Sequence, residues 1–345
     1  MTKPTMYAAV FEGNGVLRVQ ETEIPTIRSS DEVLLRVTAA GICGSDLHIL
    51  HVPQGQRGDP GTILGHEFSA IVADVGNHVT SIQIGDHVTV EPNIPCGICP
   101  ECRSDHENLC RNASNIGQWR NGGFAEYCVV PESQIHKIPQ TLSAKCAALA
   151  EPVACVMNGM MKLHPQPYEK VVLFGGGPIG LIFLRLLKMY GVQHVAVCEM
   201  MESRRKDAAR LGADVVIDPS KEGWQQELLF RWNAAPDIAI DAVGAGAVLE
   251  QAIQVTKSGG KILIFGQNLT QISSIRPGDI NRKELTILSA LAIHRSFPAA
   301  IAMLENPDSR LEEIVTHEFP LCEINKGIEL MRSRQAGKII IYPRK

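Results

Sequence analysis

Up to about Pro139 the apolar positions fall in short β-branched or alternating runs: YAAVFEG, LRVQETEIP, DEVLLRVTAAGIC, FSAIVADVG and DHVTVEPN, each bounded by Gly, Pro, Asn or Asp. Runs of this period predict strands. Their succession, continued by GGFAEYCVVP, predicts an all-β, barrel-like domain with loops at its rims. The pattern changes near Ser143. TLSAKCAALAEPVACVMNGMMKL is alanine-rich with helical spacing, and Thr141 or Ser143 suits the N-cap. Strands and helices then alternate through KVVLFGGGPIGLIFLRLLKMYGV, HVAVCEM, SRRKDAARLGA, DVVID, DIAIDAVG, GAVLEQAIQVT and GGKILIFGQ. That cadence predicts a parallel, doubly wound sheet. After about Ser289 come a helix, SFPAAIAMLEN, and a closing strand, GKIIIYP.

A chain of 345 residues exceeds what one core usually holds, so two domains are expected. A net charge of −4 and a pI near 6.3 argue against a nucleic-acid partner. MTKPTMYAAVFEGNG has no apolar stretch of the signal-peptide kind. No uncharged apolar run approaches the ~20 residues of a membrane helix, and GLIFLRLLKMYG is broken by Arg185 and Lys188. The expectation is a soluble, cytoplasmic protein with no membrane partner.

In CGICPECRSDHENLC, the cysteines Cys96, Cys99, Cys102 and Cys110 have the spacing C-x2-C-x2-C-x7-C. A reducing compartment weakens a disulfide reading, and idle core thiols would not sit among Pro, Gly, Glu, Arg and Asn. Short C-x2-C knuckles let thiolates converge on one tetrahedral zinc. Four protein ligands leave no open position, so this is expected to be a structural zinc. Cys128, Cys146, Cys155, Cys198 and Cys322 read as small core hydrophobes. Cys43 stands apart.

In VVLFGGGPIGL, Gly175-x-Gly177-x-x-Gly180 follows a strand and opens a helix at Pro178 and Ile179. Gly175 suits a tight turn, Gly177 a close approach of pyrophosphate to backbone, and Gly180 close helix–strand packing. The helix N-terminus offers N–H groups and a positive dipole to the phosphates. Glu199 ends the next strand, nineteen residues on, where an acid grips the ribose hydroxyls and repels a 2′-phosphate. NAD is therefore favoured over NADP, although Arg204 and Arg205 lie close by. Val243 in DAVGAGA and Gly266 in LIFGQ fall at the carboxyl edge of the sheet, where ligands of such folds lie.

GICGSDLH supplies Cys43, Ser45, Asp46 and His48, GHE supplies His66 and Glu67, and ALAEPVAC supplies Glu151. With LGHEFSAIV, GDHVTVEP, the four-cysteine lobe, GGFAEYCVVP, EPVACV and GGGPIGL in this order, the chain resembles the zinc-dependent medium-chain alcohol dehydrogenases, near their sorbitol and polyol branch. The resemblance runs end to end. It implies a GroES-like β-barrel catalytic domain at 1–150 and again at 289–345, a Rossmann NAD-binding domain at 151–288, and an active site in the cleft between them. It also implies a second, catalytic zinc on Cys43 and His66, with Glu67 and Glu151 competing for the remaining place. Ser45 and His48 resemble the family's proton relay, with His51 a weaker candidate at the substrate entrance.

The activity so implied is hydride transfer from a secondary alcohol to NAD, giving a ketone. GSD and Glu-Pro favour a polyol, cyclitol or amino-polyol. A sugar-alcohol phosphate, a vicinal diol and L-threonine stay open, and Arg57 and Arg120 are the cations a phosphate would need. Lys338 reads either as a pyrophosphate contact or as an exposed strand-end lysine. A homodimer or homotetramer is expected. A zinc-free or non-catalytic relative would be expected to lack Cys43, His66 or the lobe.

Overall fold

The computed structural model describes residues 3–268 and 270–344; residues 1 and 345, the ends of the expected catalytic domain, lie outside this range along with 2 and 269. The chain divides into two compact units. One runs to Ala154 and adds Ile293–Pro307 and the stretch from Leu311 to the C-terminus; the other comprises Cys155–Ala292 with Asp308–Arg310. No helix among the described residues is long and apolar enough to cross a membrane.

The first unit is built on a seven-stranded sheet. Its order is Val315–Pro320, Lys338–Tyr342, Glu32–Gly41, Glu67–Val75, His87–Val90 and Ile135–Lys137, with Tyr127–Pro131 also pairing with Glu32–Gly41. Thr5–Gly13 and Val16–Glu23 form a separate antiparallel pair. In Glu32–Gly41 the odd-numbered residues point inward, and Val33, Leu35 and Val37 join Phe11, Phe68 and Phe124 in one core. Two pairings govern everything that follows. Gly41 sits opposite Glu67 on one side and opposite Ile340 on the other. The strand ends that carry Cys43 and His66 are thereby brought together.

The second unit holds six parallel strands in the order Val215–Ile217, His194–Cys198, Lys170–Phe174, Ile238–Asp241, Lys261–Ile264 and Thr286–Ser289. Sequence order reverses between Lys170–Phe174 and its two neighbours, which is where ligands of such sheets bind. Val172, Phe174, Ala196, Ala239 and Ile262 pack with Trp224 and Leu228 in one core.

The alanine-rich segment is not one helix. Ser143 caps a single turn, Ala144–Ala147, by accepting the Cys146 N–H at 3.2 Å, and a second helix runs Ala150–Leu163. Three helices gave no clear signal in the pattern: Trp224–Trp232, Pro277–Lys283 and Ile324–Arg332. Cys322 does not lie in a core. It is exposed on the turn Leu321–Glu323, whose inward residue is Leu321.

Candidate active site

All ten cysteines are free thiols, and the sulfurs of Cys96, Cys99, Cys102 and Cys110 lie within 4.8 Å of one another. Cys99 Sγ is 3.4 Å from that of Cys102 and 3.7 Å from that of Cys110. A tetrahedron with ~2.3 Å metal–sulfur bonds has edges of about 3.8 Å, so the set fits zinc. The short helix Pro100–Arg103 and the turn Glu107–Leu109 fold the loop back on itself. Backbone N–H groups of Ile98 and Cys99 hold the Cys96 thiol below its usual range, while desolvation raises that of Cys102. A third cluster, Asp105, Glu107 and His294, already contains a cation, since Arg295 pairs with both acids.

The second cluster joins Cys43, His66 and Glu67, whose ligand atoms also lie within 4.8 Å of one another. Ile42 is fully buried, and such burial holds a side chain by about 2–3 kcal/mol. It fixes the chain just before Cys43. The helix Gly44–Ile49 starts there, and Asp46 Oδ2 accepts the Cys43 N–H at 2.8 Å. Asp46 Oδ1 faces His66 Nδ1 at 3.7 Å, so the other ring nitrogen is left for the cluster. Burial pushes Asp46 up to about 6. Burial opposes charging of His66, yet Cys43, Asp46 and Glu151 together raise it well above the ordinary histidine value. One thiol, one imidazole and one carboxylate make a three-ligand set of the type that leaves a fourth position open on zinc.

Ser45 Oγ stands 3.3 Å from His66 Nε2, at the mouth of this cluster. His48 is exposed one helical turn on. His51 is exposed too, and its Nδ1–H donates to the Pro53 carbonyl at 2.9 Å. Glu151 begins the helix Ala150–Leu163, buried, and its charge reaches His66 and Lys338. Its carboxylate is not one of the atoms gathered in the three-ligand set.

In the second unit, Gly175 has φ +102° and donates to Cys198 O at 2.9 Å. A Cβ on Gly180 would strike the Gly175 carbonyl, with its carbon at 2.9 Å. What Gly180 lets close is the loop onto its own helix, more than helix onto strand. A Cβ on Gly177 would meet only Arg204, Nη1 at 3.5 Å, so the loop has open space there for a phosphate. Gly177 caps the helix Pro178–Met189, with Pro178 and Ile179 in its first turn. Glu199 accepts the N–H of Gly176 and of Met201, each at 2.8 Å. This turn and acid fit a dinucleotide. Arg205 is committed to Glu199 O at 2.8 Å and Asp218 at 3.3 Å.

Residues 29–140 match the alcohol dehydrogenase GroES-like domain family, and residues 178–306 match the zinc-binding dehydrogenase family. D-altritol 5-dehydrogenase of Agrobacterium fabrum is 36% identical over 92% of this chain and 94% of its own length. The chain belongs to the zinc-dependent medium-chain alcohol dehydrogenases. A zinc-binding dehydrogenase from Sinorhizobium meliloti, solved with NADP, superposes with TM-score 0.94 at 31% identity, covering 99% of this chain and 100% of that one. An alcohol dehydrogenase from Escherichia coli, solved with NADH, gives 0.91 at 31%, covering 98% and 99%. The protein is an oxidoreductase of a zinc-binding, nicotinamide-dependent family, and its fold is the expected GroES-like and Rossmann pair.

One residue of the dehydrogenase, Asp241, was not foreseen, nor was the setting of another, Lys338. Asp241 ends its strand, and Oδ1 accepts the N–H of Val243 at 2.8 Å and Gly244 at 2.9 Å. This turn brings Gly244 against Gly266, where a Cβ would stand 2.7 Å from the Gly266 carbonyl carbon, and leaves Val243 exposed. The signal was the Asp two residues before the turn. Lys338 is not an exposed strand-end lysine. It is 3% exposed and paired with Glu67. Burial works to discharge it, and Glu67 and Cys43 outweigh burial and raise its pKa.

Proposed function

We propose that this dehydrogenase oxidises a secondary hydroxyl of a polyol, cyclitol or amino-polyol to a ketone, with NAD as acceptor. The observation that carries the reading is the convergence of Cys43, His66 and Glu67 beside Ser45. Cys43, His66 and Glu67 would hold a catalytic zinc, with Glu151 adding negative charge from just outside, and the four-cysteine lobe would hold a second, structural zinc. When bound, the catalytic zinc supplies a Lewis acid to the alcohol oxygen and NAD supplies the hydride acceptor.

The chain's own groups do the rest. Asp46, 3.7 Å from His66 Nδ1, sets a negative charge behind the ring, on the side away from the cluster. Ser45 takes the hydroxyl proton as it releases its own toward His48, which is exposed and passes a proton to solvent. Glu199 and the Gly175–Gly180 turn hold the cofactor. A carboxylate at Glu199 supports NAD over NADP, and the engagement of Arg205 by Asp218 removes one cation that a 2′-phosphate would seek.

A neutral substrate is supported over a phosphate ester because Arg57 is bound to Asp59 at 3.0 Å and lies over Trp119, while Arg120 faces Glu32 at 3.7 Å. The relative named for D-altritol supports the polyol class. Thiolates kept for metal suit a cytoplasmic setting. The edge strand Thr286–Ser289, paired on one side among the described residues, supports pairing into a homodimer or homotetramer.

The test is the near-ultraviolet absorbance of reduced nicotinamide, followed with zinc-replete protein, NAD or NADP, and a panel of polyols, aminocyclitols, diols, sugar-alcohol phosphates and threonine. Turnover on a polyol class with NAD is expected. Turnover confined to threonine or to a phosphate ester would overturn the substrate reading.

A further inference from the structure

Lys338 opens the last strand, Lys338–Tyr342, which pairs with the end of Glu32–Gly41. Since Gly41 faces Ile340 on one side and Glu67 on the other, the side chains of Lys338 and Glu67 approach across a residue that has none. A Cβ on Gly41 would stand 2.9 Å from Lys338 Cε and inside contact distance of Glu67 Oε2. Nζ pairs with Glu67 Oε2 and donates to Ile42 O at 3.0 Å, one residue before Cys43. Glu67 is 1% exposed, so water does not share this carboxylate with the ammonium.

We propose that Lys338 is a positioning residue for the metal cluster: by holding Oε2 of Glu67 it limits that carboxylate to one oxygen toward the metal and keeps a coordination position open for the alcohol. This rests on the reading of Cys43, His66 and Glu67 as zinc ligands. A carboxylate released from the ammonium can offer both oxygens, as carboxylates do to metals when nothing restrains them. The bond to Ile42 O meanwhile fixes the backbone that presents Cys43. One lysine thus sets two of the three ligands.

The experiment uses the full chain loaded with cobalt(II), read by its visible d–d absorption, together with metal content and removal by a chelator. Lys338→Met should exchange the four-coordinate spectrum for a weaker five-coordinate one. It should also slow metal loss about tenfold, the scale on which groups behind the ligands act. Lys338→Arg, which keeps the charge, should return the parent spectrum. Gly41→Ala keeps both charges but wedges between them, and should reproduce the shift of Lys338→Met; melting curves report whether each variant is folded. An unchanged spectrum in both folded variants, or faster metal loss in Lys338→Met, would overturn the positioning role and leave the zinc reading standing. A protein that takes up metal only in the four-cysteine lobe would sink both.

Discussion

The two cysteine-bearing clusters of the first unit are built in opposite ways. The lobe draws all four sulfurs from fifteen consecutive residues, folded by turns and one short helix. The cluster at Cys43 takes its parts from strand ends, and its lysine comes from 296 positions away along the chain from the carbonyl it binds. A local set has four ligands and a closed shell, which suits holding a loop. The set assembled by sheet register brings three such side chains together and, on the proposed reading, would leave a place open for chemistry.

The largest way to break this comparison is Cys43→Ala. It should lower turnover by about a thousandfold or more, since a Lewis acid supplies several kcal/mol, while one metal per chain survives; an active Cys43→Ala protein would refute the assignment. Ser45→Ala should cost about a hundredfold in turnover, at the lower end for positioned proton carriers. Both metals should remain in that variant, so metal analysis separates proton handling from ligation. Cys99→Ser should do the reverse. Activity at low temperature should stay within a few fold, while the melting transition falls by on the order of 10 °C. If Cys99→Ser abolished turnover in folded protein, the lobe would be more than a staple. Glu199→Ala sharpens the nucleotide side. Losing hydrogen bonds from a carboxylate worth roughly 1.5–3 kcal/mol should raise the KM for NAD about tenfold and improve the relative use of NADP.

The contrast also explains what could be read from the chain. The lobe was legible because its ligands are neighbours in sequence. Cys43 and His66 were legible through motifs, as were the glycines at 175, 177 and 180. That Glu67 comes close to Cys43 and His66 could not be read from the sequence, because it turns on register: Gly41 opposite Glu67 is a fact of strand pairing. The burial of Lys338 was hidden for the same reason, since strand ends are usually wet and a three-strand arrangement buries this one. The helix Ile324–Arg332 was hidden by Gly327, a residue that argues against helix. Its cause lies in packing, for a Cβ there would come 2.8 Å from Ile42 Cδ1. Arg205 was placed correctly near the nucleotide turn, but its partner Asp218 comes from the next strand-end loop.

The pairing at Gly41 has a consequence for inheritance. The lobe is a self-contained cassette, and one cut-and-join event can add or remove its whole ligand set. The cluster at Cys43 offers no such unit to exchange. Adding or deleting one residue between Val37 and Gly41 would turn the strand over and misaddress Cys43, Glu67 and Lys338 at once. Descendants of this chain can therefore shed the lobe in one step, but can alter the reactive centre only by substitution in place.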